Sequence, residues 1–188
     1  VAKAFAAASV AAAALFASVT KIVQKFVEFG DRVQKTAARV GTSTEFISEL
    51  KTVTELAGGS FENMEKGLLK MQRRLANPAF DKKFKDLGFD LEKIKALAPE
   101  ERFFAVADSI KAMDEQNRLF ASQEMFGLAA GADMVLAVEQ GSEAMLEQMA
   151  LASKWGASIT QEQADMAAEL NDTWTEIKTM FKGFTVQV

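Results

Sequence analysis

Apolar side chains recur at spacings of three and four along most of this chain, and glycine or proline cuts the runs into pieces. That pattern specifies helices packed on helices, because only a period near 3.6 residues gathers such positions onto one face. No segment alternates with period two for long enough to read as a strand. The joint that best shows the pattern is Leu119-Phe-Ala-Ser-Gln-Glu-Met-Phe-Gly-Leu-Ala-Ala-Gly131. Here an apolar stripe of Leu119, Phe120, Met125 and Phe126 meets two glycines, Gly127 and Gly131, spaced too closely for a long helix to run through comfortably. The spacing predicts that helix gives way to turn.

Taken in order, residues 1–40 read as one long, Ala-rich amphipathic helix. Val1 is not an initiator, which suggests a processed or excised piece of a longer chain. Ala4 to Thr20 is uncharged between Lys3 and Lys21, yet shorter than the roughly 20 apolar residues that cross a bilayer. From Ile22 the stripe Ile22, Phe26, Phe29, Val33, Ala37 and Val40 forms the seam of a coiled coil or bundle helix. At about 1.5 Å per residue such a helix approaches 60 Å, so it either projects or pairs with other chains.

Residues 41–159 read as an array of short helices punctuated by Gly and Ser. Thr42-Ser-Thr-Glu45 has capping-box spacing, with Glu45 able to reach back to the cap backbone. Its helix carries Phe46, Leu50, Val53 and Ala57. After Gly58-Gly59, Ser60 caps a helix bearing Phe61, Met64, Leu68, Met71 and Leu75, with Glu62 one turn before Lys66. Asn77-Pro78 breaks it. Phe80, Phe84 and Leu87 follow among Lys82, Lys83 and Lys85, a cluster that is either a solvated face or a phosphate or membrane contact. Pro99 suits a first helical position, with Glu100 and Glu101 complementing the helix dipole behind it. Phe103, Val106, Ala107 and Ile110 make the next stripe, and Met145, Leu146 and Met149 the one after Gly141-Ser142. Thr160-Gln-Glu-Gln163 is a second capping box. It opens the third segment, residues 160–188, a long C-terminal helix with Met166, Leu170, Trp174, Ile177 and Phe181 in register.

The chain has no His, Cys or Tyr. Histidine bases, thiolate nucleophiles, disulfides and the usual zinc ligand sets are thereby removed, and no cofactor is expected. Charge is divided unevenly: residues 1–85 hold 14 Lys and Arg against 8 Asp and Glu, and residues 86–188 hold 8 against 18. The acidic half disfavours phosphate backbones, and the basic half has no aromatics interleaved on one face, so specific nucleic-acid binding is not expected. Complementary halves attract within one chain or between copies.

The order of these features resembles the N-terminal-to-central region of tail tape measure proteins of long-tailed bacteriophages and prophages. The matching elements are Ala38-Arg-Val-Gly-Thr-Ser-Thr-Glu-Phe-Ile-Ser-Glu-Leu50, Ala57-Gly-Gly-Ser-Phe-Glu62, Met71-Gln-Arg-Arg-Leu75, Leu87-Gly88, Leu97-Ala-Pro-Glu-Glu101, Met125-Phe-Gly127, Trp155-Gly156 and Gln163 to Asn171. They span residues 30–180. In the family the Phe-Gly pair is often followed by a Leu-rich loop, whose general form Leu128 to Val138 keeps.

The resemblance implies a virion structural protein without a catalytic motif. It would lie along the tail-tube lumen, set tail length during assembly in the host cytoplasm with tail assembly chaperones, and leave before the genome on ejection. Partners would be other copies of itself, as a trimer or higher oligomer, the tube and tail-tip proteins, and the host membrane or envelope through Ala4 to Thr20. Self-association is expected through Ile22, Phe26, Phe29, Val33 and Val40 and through Leu170, Trp174, Ile177 and Phe181. Two other readings of the same residues stand beside it: a membrane-inserting helical protein, such as a pore former or effector, and a helical adaptor or chaperone. An enzyme would have to rely on carboxylates such as Glu100 and Glu101, which helix-dipole compensation already explains.

Overall fold

The computed structural model describes the backbone from Ala2 to Val186 and the side chains of residues 21–173, 175 and 176. Among the described residues it is all-helical, as the three-and-four spacing predicts. The helices are α1 (Ala2–Val40), α2 (Thr44–Leu56), α3 (Phe61–Ala76), α4 (Asp81–Asp86), α5 (Leu91–Ala96), α6 (Pro99–Lys111), α7 (Glu115–Phe126), α8 (Leu128–Val138), α9 (Gly141–Lys154) and α10 (Gln161–Val186), with a 3-10 turn at Pro78–Phe80. The chain divides into two compact units: Val1–Gln34 with Thr160–Val188, and Lys35–Ile159. The last turn and a half of α1 therefore belongs to the second unit.

In the first unit α10 lies against α1. Gly30 makes this approach possible, since a Cβ there would stand 2.4 Å from the Cβ of Ala167. Ala164 and Ala167 are buried at the contact, and Gln34 donates to the Asp165 carboxylate at 2.6 Å. The expected capping box forms: the Thr160 N–H donates to Gln163 Oε1 at 3.1 Å, and the Gln163 N–H to Thr160 Oγ1 at 3.2 Å.

The second unit is built around α8, which packs on α2, α3, α6, α7 and α9. This corrects the reading of residues 128–138 as a loop. Gly127 alone makes the break, at φ +93°, which an L side chain would strain. Gly131 instead sits inside α8. Its missing side chain lets α8 fold back on α7, because a Cβ there would be 2.4 Å from Gln123 Cα and 2.5 Å from Gln123 N. The Ser122 hydroxyl fastens the same contact by donating to the Gly131 carbonyl at 2.9 Å. Gly131 costs helix propensity of about 1 kcal/mol and is offset by the close packing it allows.

Around α8 the stripes read from the sequence close into one core. Phe46, Leu50, Val53, Met64, Leu68, Met71, Phe103, Val106, Ile110, Met145 and Met149 are all buried. Both α3 methionines are core residues, as expected. The Lys82, Lys83 and Lys85 cluster lies on the surface of α4, where Lys83 pairs with Glu124 at 2.6 Å.

The ends of these helices are closed across the fold. Ser43, one residue after Thr42, is the cap of α2, its hydroxyl accepting from the Phe46 N–H at 3.2 Å. The Thr42 N–H that Glu45 was expected to meet donates to the Ala37 carbonyl at 3.0 Å. Glu100 of α6 serves the cap instead, accepting from the Ser43 N–H at 2.8 Å and its hydroxyl at 2.7 Å. Asp108, also on α6, accepts from the Ser142 N–H at 2.7 Å at the start of α9. Asp133 of α8 accepts from Ser60 and Asn63 at the start of α3. Each puts a carboxylate at the positive end of a helix dipole.

Arginines serve the opposite ends. Arg74 donates to the carbonyls of Gln123 and Glu124 in the last turn of α7. Arg118 donates to Lys111 and Met113 after α6. Arg102 serves α5, with bonds to the carbonyls of Ile94 (3.3 Å), Lys95 (3.2 Å) and Leu97 (2.9 Å) and to Gln72 Oε1 (3.0 Å). Removing the guanidinium takes a donor from each of these partly buried carbonyls, of which Ile94 keeps the Leu97 N–H at 3.3 Å. Arg102→Met is therefore expected to lower the unfolding free energy by about 2 kcal/mol in urea titration. Arg102→Lys should recover less than half of the loss, because one ammonium cannot span four acceptors in a plane.

Candidate functional site

The residues expected to join copies do not form one continuous seam. Ile22 is 67% exposed and Phe26 46% exposed on α1, while Phe29 is half-buried. Val33 and Val40 are covered by the chain itself, which takes them out of any surface offered to another copy. On α10, Leu170 is 55% exposed. The side chains of Trp174, Ile177 and Phe181, like those of Ala4 to Thr20, lie outside the described residues. The structure adds two positions to this surface, Val23 beside Ile22 and Met166 one turn before Leu170. Val23 escapes a three-and-four reading because it follows Ile22 directly and widens the stripe rather than extending it.

The candidate site is thus the pair of exposed apolar stripes that the two helices of the first unit leave uncovered. Apolar Ile22, Val23 and Phe26 stand on α1, with apolar Met166 and Leu170 on α10. Charges border the two sets: Lys21 and Lys25, with a single exposed acid Glu28, on α1, and Glu162, Glu169, Asp172 and Glu176 on α10, all exposed. A surface of this composition can bury apolar area and pair charges.

Elsewhere the surface offers shallow depressions. One of 430 Å³ is lined by Ala79, Lys82, Lys83, Asp86, Leu87 and Phe120. Of its charged residues, Lys83 pairs with Glu124 and lies 5.7 Å from the Phe120 ring. Another, of 320 Å³, includes Lys95 and Arg102, which are engaged with Asp81 and with the end of α5. Glu100 and Glu101 do not converge on a common point: Glu100 caps α2, and Glu101 accepts from the Ala98 N–H at 3.3 Å at the start of its own helix. No group of three or more acidic side chains that could hold a metal ion occurs among the described residues. No helix among them is long and apolar enough to cross a membrane.

Glu49 on α2 is the carboxylate whose environment is least favourable to charge. Burial raises its pKa above the ordinary value, Glu45 and Glu100 add repulsion, and the hydroxyls of Ser158 and Ser153 offset part of this. A carboxyl with a raised folded pKa opposes folding once it ionises, so its contribution becomes less favourable as pH rises above 4.5 through the folded value. Glu49→Gln is expected to raise Tm at pH 7 by about 1–2 °C, the scale of a partly exposed charge. The gain should vanish as the native chain is acidified below the usual glutamate range, which calorimetry across pH 4–8 will check.

Comparison with protein-family models, with curated proteins and with solved structures finds no match to this chain.

Proposed function

We propose that this chain is a structural segment of a phage tail tape measure protein. It lies in the tail-tube lumen, contributes to tail length during assembly with the tail chaperones, and departs during genome ejection. In this reading it acts by packing and length and has no catalytic role. Residues 1–40 serve as a long helix, 41–159 as a helical array and 160–188 as a second long helix, with copies of the chain held together and the tube and tail-tip proteins as neighbours.

One observation carries the reading: most of the segments that resemble the family fall at joints of the fold, although Gln163 to Asn171 lies within α10 and Met71–Leu75 within α3. Ala38–Leu50 crosses from α1 into α2 and contains the Ser43 cap, and Ala57–Glu62 crosses into α3 with the Ser60 cap. Met71–Leu75 holds Arg74, Leu97–Glu101 holds the Glu100 cap, and Met125–Gly127 is the α7–α8 break. Residues at joints are set by geometry that a ruler made of helices must keep, whereas the faces between them can drift.

Tail length in the electron microscope tests this. In-frame deletion of residues 41–159 from the parent gene should shorten tails by roughly 180 Å if those residues are laid out as helix at about 1.5 Å each. Tails of unchanged length would overturn the proposal.

A further inference from the structure

We infer that the exposed stripes of the first unit bind a second copy of this chain, with α1 of each copy laid against α10 of the other. The inference deepens the proposed function, from which it takes only the premise that copies of the chain act together.

Two independent features of the stripes point to this occupant. The first is apolar: Ile22 and Phe26 stand one turn apart on α1, Met166 and Leu170 one turn apart on α10, and each pair is about half exposed or more. The α1 pair continues the same stripe that Val33 and Val40 bury lower down the helix, so this is the part of the seam the chain does not cover by itself. Four large side chains at helical spacing are what a facing helix needs in order to seat its own.

The second feature is electrostatic. Lys21 and Lys25 flank the α1 pair, and Glu169, Asp172 and Glu176 flank the α10 stripe at spacings of three and four. None of these five makes an ion pair among the described residues, although α1 and α10 already touch at Gly30 and Ala167. The packing within one chain leaves both rows of charge unanswered. A second copy answers both at once, because each molecule carries one basic and one acidic row. Pairing α10 with α10 would instead set acids together, and pairing α1 with α1, where Glu28 is the one exposed acid beside Lys21 and Lys25, would leave the α10 row unanswered. The same logic disfavours an anionic lipid surface, to which the acidic row would be presented along with the basic one.

Light scattering on the 188-residue chain, with circular dichroism to check folding, decides the matter. The native chain should show at least twice the mass of one copy, 20.5 kDa, at low salt, and less association as salt rises. Phe26→Asp and Leu170→Asp should each return the mass to one copy with helicity unchanged.

Charge reversal tests the pairing itself. Lys21→Glu with Lys25→Glu should give single copies, and so should Glu169→Lys with Glu176→Lys. An equimolar mixture of the two variants should restore the native mass, which mere misfolding of either variant could not do. A native chain that stays single, or a mixture that stays single while the native chain associates, overturns the inference. So does a single native chain that instead floats with phosphatidylglycerol vesicles and ceases to do so as Phe26→Asp. Tails that shorten on deletion while the native chain stays single would overturn this contact and leave the tape measure reading intact. Association with tails of unchanged length would do the reverse.

Discussion

Phe103→Ala is expected to unfold about 4 kcal/mol more easily than the native chain in urea titration followed by circular dichroism. Phe103 is fully buried, and its ring meets Phe46 of α2 edge-on at 5.8 Å, Phe104 at 5.7 Å and Phe126 of α7 at 6.2 Å. One side chain thus ties its own helix, α6, both to the next helix, α7, and to α2, which is remote in sequence. Truncation removes its transfer free energy and leaves a cavity that three anchored helices cannot collapse. Against a typical total stability of about 5–15 kcal/mol, that is a large fraction. Phe104→Ala, at a half-buried neighbour, should cost less than half as much. Equal losses at the two positions would show that the core is not where the structure puts it.

Gly131→Ala is expected to destabilise the chain by about 3 kcal/mol, and here the sign is the test. Helix propensity alone predicts a gain of about 1 kcal/mol, since alanine is the better helix former. Packing predicts the opposite, because the new Cβ would fall within 2.6 Å of the backbone at Ser122 and Gln123. Backbone in a helix cannot step aside as the end of a lysine can, so α8 would have to lift from α7 and loosen its other contacts. Ala132→Gly, on the exposed side of the same helix, provides the comparison and should cost only the propensity difference. A more stable Gly131→Ala chain would mean that α7 and α8 do not pack this closely.

Much of the fold was legible because local physics fixed it. Ser60, Thr160 with Gln163, Asn77-Pro78 and Pro99 each mark a helix end using groups within four residues of it, and each does so in the structure. The apolar stripes of α2, α3 and α6 predicted their buried faces for the same reason: the period of a helix depends on nothing outside it.

The misreadings have a common cause in distance along the chain. Thr42 and Glu45 have the spacing of a reciprocal cap, but the Thr42 N–H closes the end of α1 on the Ala37 carbonyl at 3.0 Å, and Ser43, held by Glu100 from 57 residues away, is the cap instead. Gly127 and Gly131 look alike in sequence. Whether a glycine breaks a helix or lets another helix come close depends on what lies opposite, and only Gly131 has Gln123 there. The candidate face was read in part for the same reason. Ile22, Phe26 and Leu170 were marked by their spacing, yet spacing could not tell that Val33 and Val40, on the same stripe, are covered within the chain.

Helicity, the ends of most helices and the apolar side of each can be read along the chain, since these follow from 3.6-residue periodicity and from hydrogen bonds closed within a turn. It took the packed fold to settle that α8 is the centre of the array, that Glu100, Asp108, Asp133 and Arg74 close helix ends remote from their own, and which apolar residues remain on the surface. Those outcomes depend on which elements meet, and a pairing between residues 50 apart leaves no period and no motif in a single chain for the eye to find.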